Sequence, residues 1–254
     1  MFPLRYGSQA FIPRIKNLKT LDLSKNTLTK LSPKVALLEN LKSLNLEQNK
    51  LPAGSLMPIA KLSKLQNFSV GGNLLGKHVV AETQAEAEPF PSKLPVGLRQ
   101  LRVNNNFLSN VPRPILSPQL TKLDRLDLSS NQLAAIPTEI SNLVALTDLN
   151  LDNNVIVSLP EDIGKLTKLK VLSLRGNRIS VHSTNWSDKN PQPLPKSLFA
   201  DTPLIDLNLH GNPMTSTQLN SMEGYVEFLD RRQKVKTSTL LGGALTNLDV
   251  CGLE

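Results

Sequence analysis

Cysteine is nearly missing: one residue, Cys251, in a chain of 254. A lone thiol excludes a disulfide framework and a cysteine-built zinc site. It points to a reducing, intracellular setting, read here as cytoplasmic. Histidine is scarce too, and His78, His182 and His210 have no companions at metal-ligand spacing. Aromatic residues make up 4% of the chain, with a single tryptophan, Trp186. No apolar run approaches the roughly 18 residues that span a bilayer, so no transmembrane segment is expected. No charged-apolar-small leader opens the sequence. Hydrophobic residues are nevertheless 39% of the total, enough for an extended core. Basic residues outnumber acidic ones 29 to 21, giving +8 and a pI near 9.6.

The apolar residues are periodic. The first copy of the pattern is Leu18, Leu21, Leu23, Asn26, Leu28, and the last is Leu204, Leu207, Leu209, Asn212, Met214. Six copies between them carry their asparagines at Asn49, Asn73, Asn106, Asn131, Asn154 and Asn177. Alternating Leu-x-Leu predicts a short strand with one face inward. The asparagine amide, which both donates and accepts, would satisfy buried turn groups that no strand ladder reaches. Apolar-proline pairs such as Ile136-Pro137 and Leu159-Pro160 stop the strand and start the return path. One unit cannot bury its own stripe, so the units must stack.

Over residues 11 to 215 these eight copies resemble the leucine-rich repeat family, in particular the short 23-residue type of intracellular signalling scaffolds. The resemblance implies an α/β solenoid. A curved parallel β-sheet would line the concave face, with short helices, 3-10 turns and loops on the convex face. Eight strands at about 4.8 Å give an inner surface roughly 35 Å long.

Solenoid ends need caps. Thr215-x-x-Gln218 reads as a capping box, and Leu219, Met222, Val226 and Leu229 recur at helical spacing. Arg231, Arg232, Lys234 and Lys236 then suit a helix C-terminus. The expected organisation is a solenoid over 1–215, a capping helix over 216–236 and a tail over 237–254. Glu223-Gly224-Tyr225 before the basic stretch resembles the tail of small leucine-rich-repeat proteins built of repeats alone. Some members of that group begin Met-Gly and are myristoylated; Met1-Phe2 here excludes that lipid at this start. Residues 1–11 hold a missing or degenerate strand. Two insertions interrupt the period, near 78–91 and 181–193. Both read either as tolerated surface loops or as part of a binding surface, and the second contains Trp186, whose indole, if exposed, is an anchor of the kind interfaces use.

The strand positions flanking the inward leucines carry no aromatic residue. They gather opposite charges across repeats four to seven: Arg102, Arg125, Asp127, Asp148, Asp152 and Arg175, with Asn150 among them. Two readings stand side by side. Charges paired across strands merely keep a sheet soluble. A charge-complementary surface for a protein partner uses arginine for forked contacts to carboxylates. Gly71-Gly72-Asn73-Leu74-Leu75-Gly76-Lys77 nearly spells a phosphate-binding loop, but His78 replaces the required Ser or Thr and Asn73 is the repeat asparagine. No catalytic constellation, cofactor motif or metal site emerges.

The first reading of function is therefore a non-enzymatic scaffold, monomeric, binding a protein through the concave face and the Trp186 loop. The second is a regulatory subunit of a phosphatase or ubiquitin ligase, which the resemblance permits and no docking motif selects. A nucleic-acid partner is not expected, since stacking aromatics are absent from the sheet. Residues 1–50 carry 9 basic and 3 acidic side chains, including Lys16, Lys30, Lys34 and Lys50 off the concave strands. That gradient steers an acidic partner and leaves peripheral contact with an anionic membrane open.

Overall fold

The computed structural model describes residues 16–77, 88–180 and 192–240, with side chains described as far as 235. Eight three-residue strands form one parallel sheet in chain order. They are β1 (Thr20–Asp22), β2 (Ser43–Asn45), β3 (Asn67–Ser69), β4 (Gln100–Arg102), β5 (Arg125–Asp127), β6 (Asp148–Asn150), β7 (Val171–Ser173) and β8 (Asp206–Asn208). The central residues stack in register from Leu21 through Leu44, Phe68, Leu101, Leu126, Leu149 and Leu172 to Leu207. This is the expected leucine-rich repeat solenoid, an open curved sheet. The return paths are 3-10 turns at Pro33–Leu37, Met57–Lys61, Arg113–Leu116, Thr138–Asn142 and Glu161–Lys165. Pro137 and Pro160 lead into two of them in extended conformation, with φ of −72° and −73°.

Buried leucine and isoleucine form one continuous core; in the first repeat Leu18, Leu21, Leu23 and Leu28 are only partly buried. A stack exposes its end, and burial rises once a neighbour lies on both sides.

The asparagines do what their chemistry predicts. Asn154 donates to the carbonyls of Leu128, Leu151 and Asp152 at 2.9–3.2 Å and accepts from the amide of Leu133 at 3.0 Å. The residue before each repeat asparagine turns the chain through the left-handed region. Lys25, Gln48, Asn105, Ser130 and Asn153 have φ of 53–55°, and Gly72, Gly176 and Gly211 share the geometry. That turn aims the asparagine inward, and its cost to a non-glycine residue is offset by the ladder.

The C-terminal cap departs from expectation. One helix over 216–236 was predicted; two are present, α2 (Ser216–Asn220) and α3 (Tyr225–Leu240), after α1 (Lys196–Ala200) on the convex side. The capping box forms, with the Thr215 amide donating to Gln218 Oε1 and the Gln218 amide to Thr215 Oγ1. Gly224, at φ 84°, breaks the helix where a Cβ would stand 3.1 Å from both the Lys196 carbonyl and Phe199 Cβ. The inward face is consequently Leu219, Met222, Tyr225 and Phe228, while Val226 is 62% exposed. Tyr225 and Phe228 pack on Phe199 with ring centroids 5.6–6.0 Å apart. Arg231 lies within α3 rather than at its end, donating to the carbonyls of Phe199 at 2.7 Å and Leu204 at 2.8 Å. Burial pulls its guanidinium below its ordinary pKa.

Both insertions end on the core: Phe90 is buried at the end of the first and Leu94 just after it, Pro193 at the end of the second and Leu194 just after it. Residues 78–87 and 181–191, and with them His78, His182 and the proposed anchor Trp186, lie outside the described residues, as do 1–15 and 241–254.

Candidate functional site

The concave face is built by strand alternation. Each central leucine points inward, so its two neighbours point out, and Arg102 and Arg125 are exposed. The repeat register then sets who meets whom. Arg102 stands opposite Asp127, and Arg125 opposite Asp148. Beyond the strands, the Arg175 amide donates to Asp152 Oδ1 at 2.8 Å. The structure thus brings together all seven residues singled out on this face.

Three arginines each have an aspartate one strand away, yet no guanidinium closes on a carboxylate. Among the described residues none of these arginines is within 4.0 Å of a carboxylate; Lys165–Asp162 and Lys196–Glu223 pair off the sheet. The expectation of cross-strand pairing is not met. The physical reason is that the carboxylates are held by local bonds. Asp127 Oδ1 accepts from the Ser129 amide at 3.0 Å and hydroxyl at 2.6 Å. Asp148 Oδ2 accepts from the Thr147 hydroxyl. Asn150 Oδ1 takes the Asp152 amide at 3.0 Å, so Asp127 and Asn150 share a turn-forming duty that neither sequence reading contained. The same turn recurs at Asp22, Asn45 and Asn208. At Asp22, bonds from the Ser24 hydroxyl and amide, with smaller help from Asn45 and Lys25, hold the carboxyl below its ordinary value.

The glycine-rich stretch at 71–77 is repeat packing. A Cβ on Gly76 would stand 2.5 Å from the Phe107 carbonyl, so the next repeat requires glycine there. His210 sits exposed beyond β8, its amide on Asn208 Oδ1 at 3.1 Å. Among the described residues no three His, Cys, Asp or Glu side chains are grouped to hold a metal. No described helix is long and apolar enough to cross a membrane.

Comparison with known proteins agrees with this geometry. A family model described as "Leucine rich repeat" matches residues 15–75 and 96–156. The chain is a leucine-rich repeat protein. Lumican of Coturnix japonica is 30% identical over a match covering 54% of this chain and 44% of lumican. The chain spans less than half the length of the curated relatives it matches. Among solved structures, internalin C2 of Listeria monocytogenes superposes with a TM-score of 0.59 at 21% identity, covering 84% of this chain and 80% of internalin C2. The plant peptide hormone receptor RGFR1, solved in complex with RGF2, gives 0.56 at 25% identity over 84% of this chain and 32% of the receptor. Leucine-rich repeats commonly serve as protein-protein interaction modules.

Proposed function

We propose that this leucine-rich repeat chain is a non-enzymatic adaptor of the short intracellular type, holding a protein partner on the concave face across repeats four to seven. The observation that carries this reading is the unclosed charge there. Among the described residues Arg102, Arg125 and Arg175 are exposed with no ion pair, while Asp127 and Asp148 each spend one oxygen on a local bond and Asp152 spends one on the backbone amide of Arg175 in the next repeat. Forked guanidiniums recognise carboxylates in pairs, so the partner presents acidic side chains spaced by about one or two strands. The likeness to a receptor solved with its peptide hormone supports use of this fold to hold a polypeptide. A cytoplasmic location belongs to the same proposal and rests on the single cysteine.

The test is the combined change Arg102→Glu, Arg125→Glu and Arg175→Glu in the full chain, with circular dichroism to verify folding. Partners captured by the unaltered chain should be lost. If a folded triple variant captures the same set, the concave face is not the binding surface.

A further inference from the structure

A second charged feature lies on another edge of the sheet, at the turns that lead into the strands. Lys42, Gln66 and Arg99 immediately precede β2, β3 and β4. Their backbones form consecutive rungs, the Gln66 amide donating to the Lys42 carbonyl and the Arg99 amide to the Gln66 carbonyl, both at 2.8 Å. Lys64 and Lys122 flank these rungs, each just before the first leucine of its own repeat. Together these residues line a hollow of about 240 Å³, with Ser63 and Gly97 completing its wall. Gly97 keeps it open: a Cβ there would stand 3.2 Å from the Leu65 carbonyl and 3.4 Å from that of Ser63.

Four cations surround this space and no acidic residue lines it. None of the four has an ion-pair partner within 4.0 Å among the described residues; Lys64 Nζ bonds the neutral Asn40 at 2.7 Å. Glu39 and Asp124 occupy the same turns without reaching a cation. The backbone ladder fixes the spacing of Lys42 and Arg99 along the edge, so an anion entering the hollow meets several cations from neighbouring repeats. The volume lies below the roughly 300–1,000 Å³ of a small-molecule cleft, and the wall offers no aromatic surface to a base or an apolar chain. What fits is compact and multiply charged.

We infer that this hollow, lined by Lys42, Lys64, Arg99 and Lys122, binds a ligand bearing clustered phosphate groups. Two sources share that chemistry, a free polyphosphate compound and a polyphosphorylated lipid headgroup. The site is separate from the concave arginines and does not depend on their role.

Calorimetric titration of the full chain with inorganic tripolyphosphate at about 0.15 M salt tests it. Saturable one-to-one binding tighter than about 1 mM is expected. Lys64→Ala with Arg99→Ala should weaken it about tenfold or more, because charge-assisted bonds are lost. Lys30→Ala with Lys34→Ala removes the same net charge elsewhere and should leave the affinity within about twofold. Vesicles containing phosphatidylinositol bisphosphate form the second arm. Binding that tripolyphosphate displaces assigns the headgroup as the source; tripolyphosphate binding without vesicle binding assigns a free compound, and both outcomes support the site. Equal weakening in the two double variants, or no saturation by either probe, would overturn it.

Discussion

Asparagine shows best how one residue type carries this molecule. Asn49 donates to the carbonyl of Leu23 in the preceding repeat as well as to those of Leu46 and Glu47 in its own, and accepts from the Leu28 amide. Among the described residues Asn26 donates to Leu23 and Ser24 alone, and it is exposed. Replacing an interior rung leaves several buried backbone groups without partners, each costing about 1–3 kcal/mol. Asn154→Ala should therefore lower unfolding free energy by about 2–4 kcal/mol, and Asn26→Ala by about 1 kcal/mol or less. Urea titrations would show the contrast; equal losses would mean the ladder is not the source. A pH effect belongs at this scale too. The Asp22 carboxyl titrates below its unfolded value, so its bonds stabilise the fold above that unfolded value and lose their contribution as pH falls through the folded one. Ser24→Ala should move the Asp22 midpoint up toward that of an ordinary aspartate in a carboxyl NMR titration.

At the scale of the element, strands and return turns were legible because each repeat restates the same pattern and proline marks the turn. The cap was not. Leu219, Met222, Val226 and Leu229 fit an unbroken helix perfectly well; what breaks it is the close approach of Lys196 and Phe199 to Gly224, a contact across 25 residues or more that local spacing does not contain. Glu223-Gly224-Tyr225, read in the sequence as a tail signature, acquires a structural task. The Glu223 amide donates to Gln192 Oε1 at 3.1 Å, Gly224 turns the chain and Tyr225 enters the aromatic cluster. Arg231 then fastens α3 to the end of α1. Arg231→Met keeps the stem and removes both charged bonds, a loss of about 2–3 kcal/mol. Limited proteolysis should cut such a variant first within 216–240 while the repeats stay resistant. Resistance equal to that of the unaltered chain would show that the rings alone hold the cap.

For the whole molecule, the surplus of positive charge in residues 1–50 stays a gradient, while Lys42, Lys64, Arg99 and Lys122 are gathered at one edge of the sheet and the concave arginines stand among aspartates. The concave arginines were legible from alternation alone. Their freedom from the facing aspartates was not, because it depends on where the carboxylates of Asp127, Asp148 and Asp152 spend their bonds. The hollow between Lys42 and Arg99 escaped the sequence reading for a related reason. It is made by side chains from successive repeats and by the missing side chain of Gly97, and a repeat-by-repeat comparison of the residues beside the first leucine would have revealed the cations. Reversal of Arg102, Arg125 and Arg175 should abolish partner capture, as argued above, whereas Glu at Lys30, Lys34 and Lys50 should slow association without ending it, since long-range steering changes rates more than close contacts. A stopped-flow comparison at two salt concentrations separates these effects. If the second set proves as damaging as the first, net charge rather than the concave face governs binding.

The asparagine ladder also has a direction. Asn73 serves Leu46 and Leu51 behind it, and Asn212 serves Leu174 and Ile179; each rung completes the repeat that precedes it. At these rungs a repeat is thus finished by residues 22 to 38 positions further along the chain, in the order in which a ribosome delivers them. During synthesis every new repeat closes its predecessor and waits for its successor. Among the described residues the eighth repeat is followed by the aromatic cap rather than by a ninth strand, and the cap covers the end of the series.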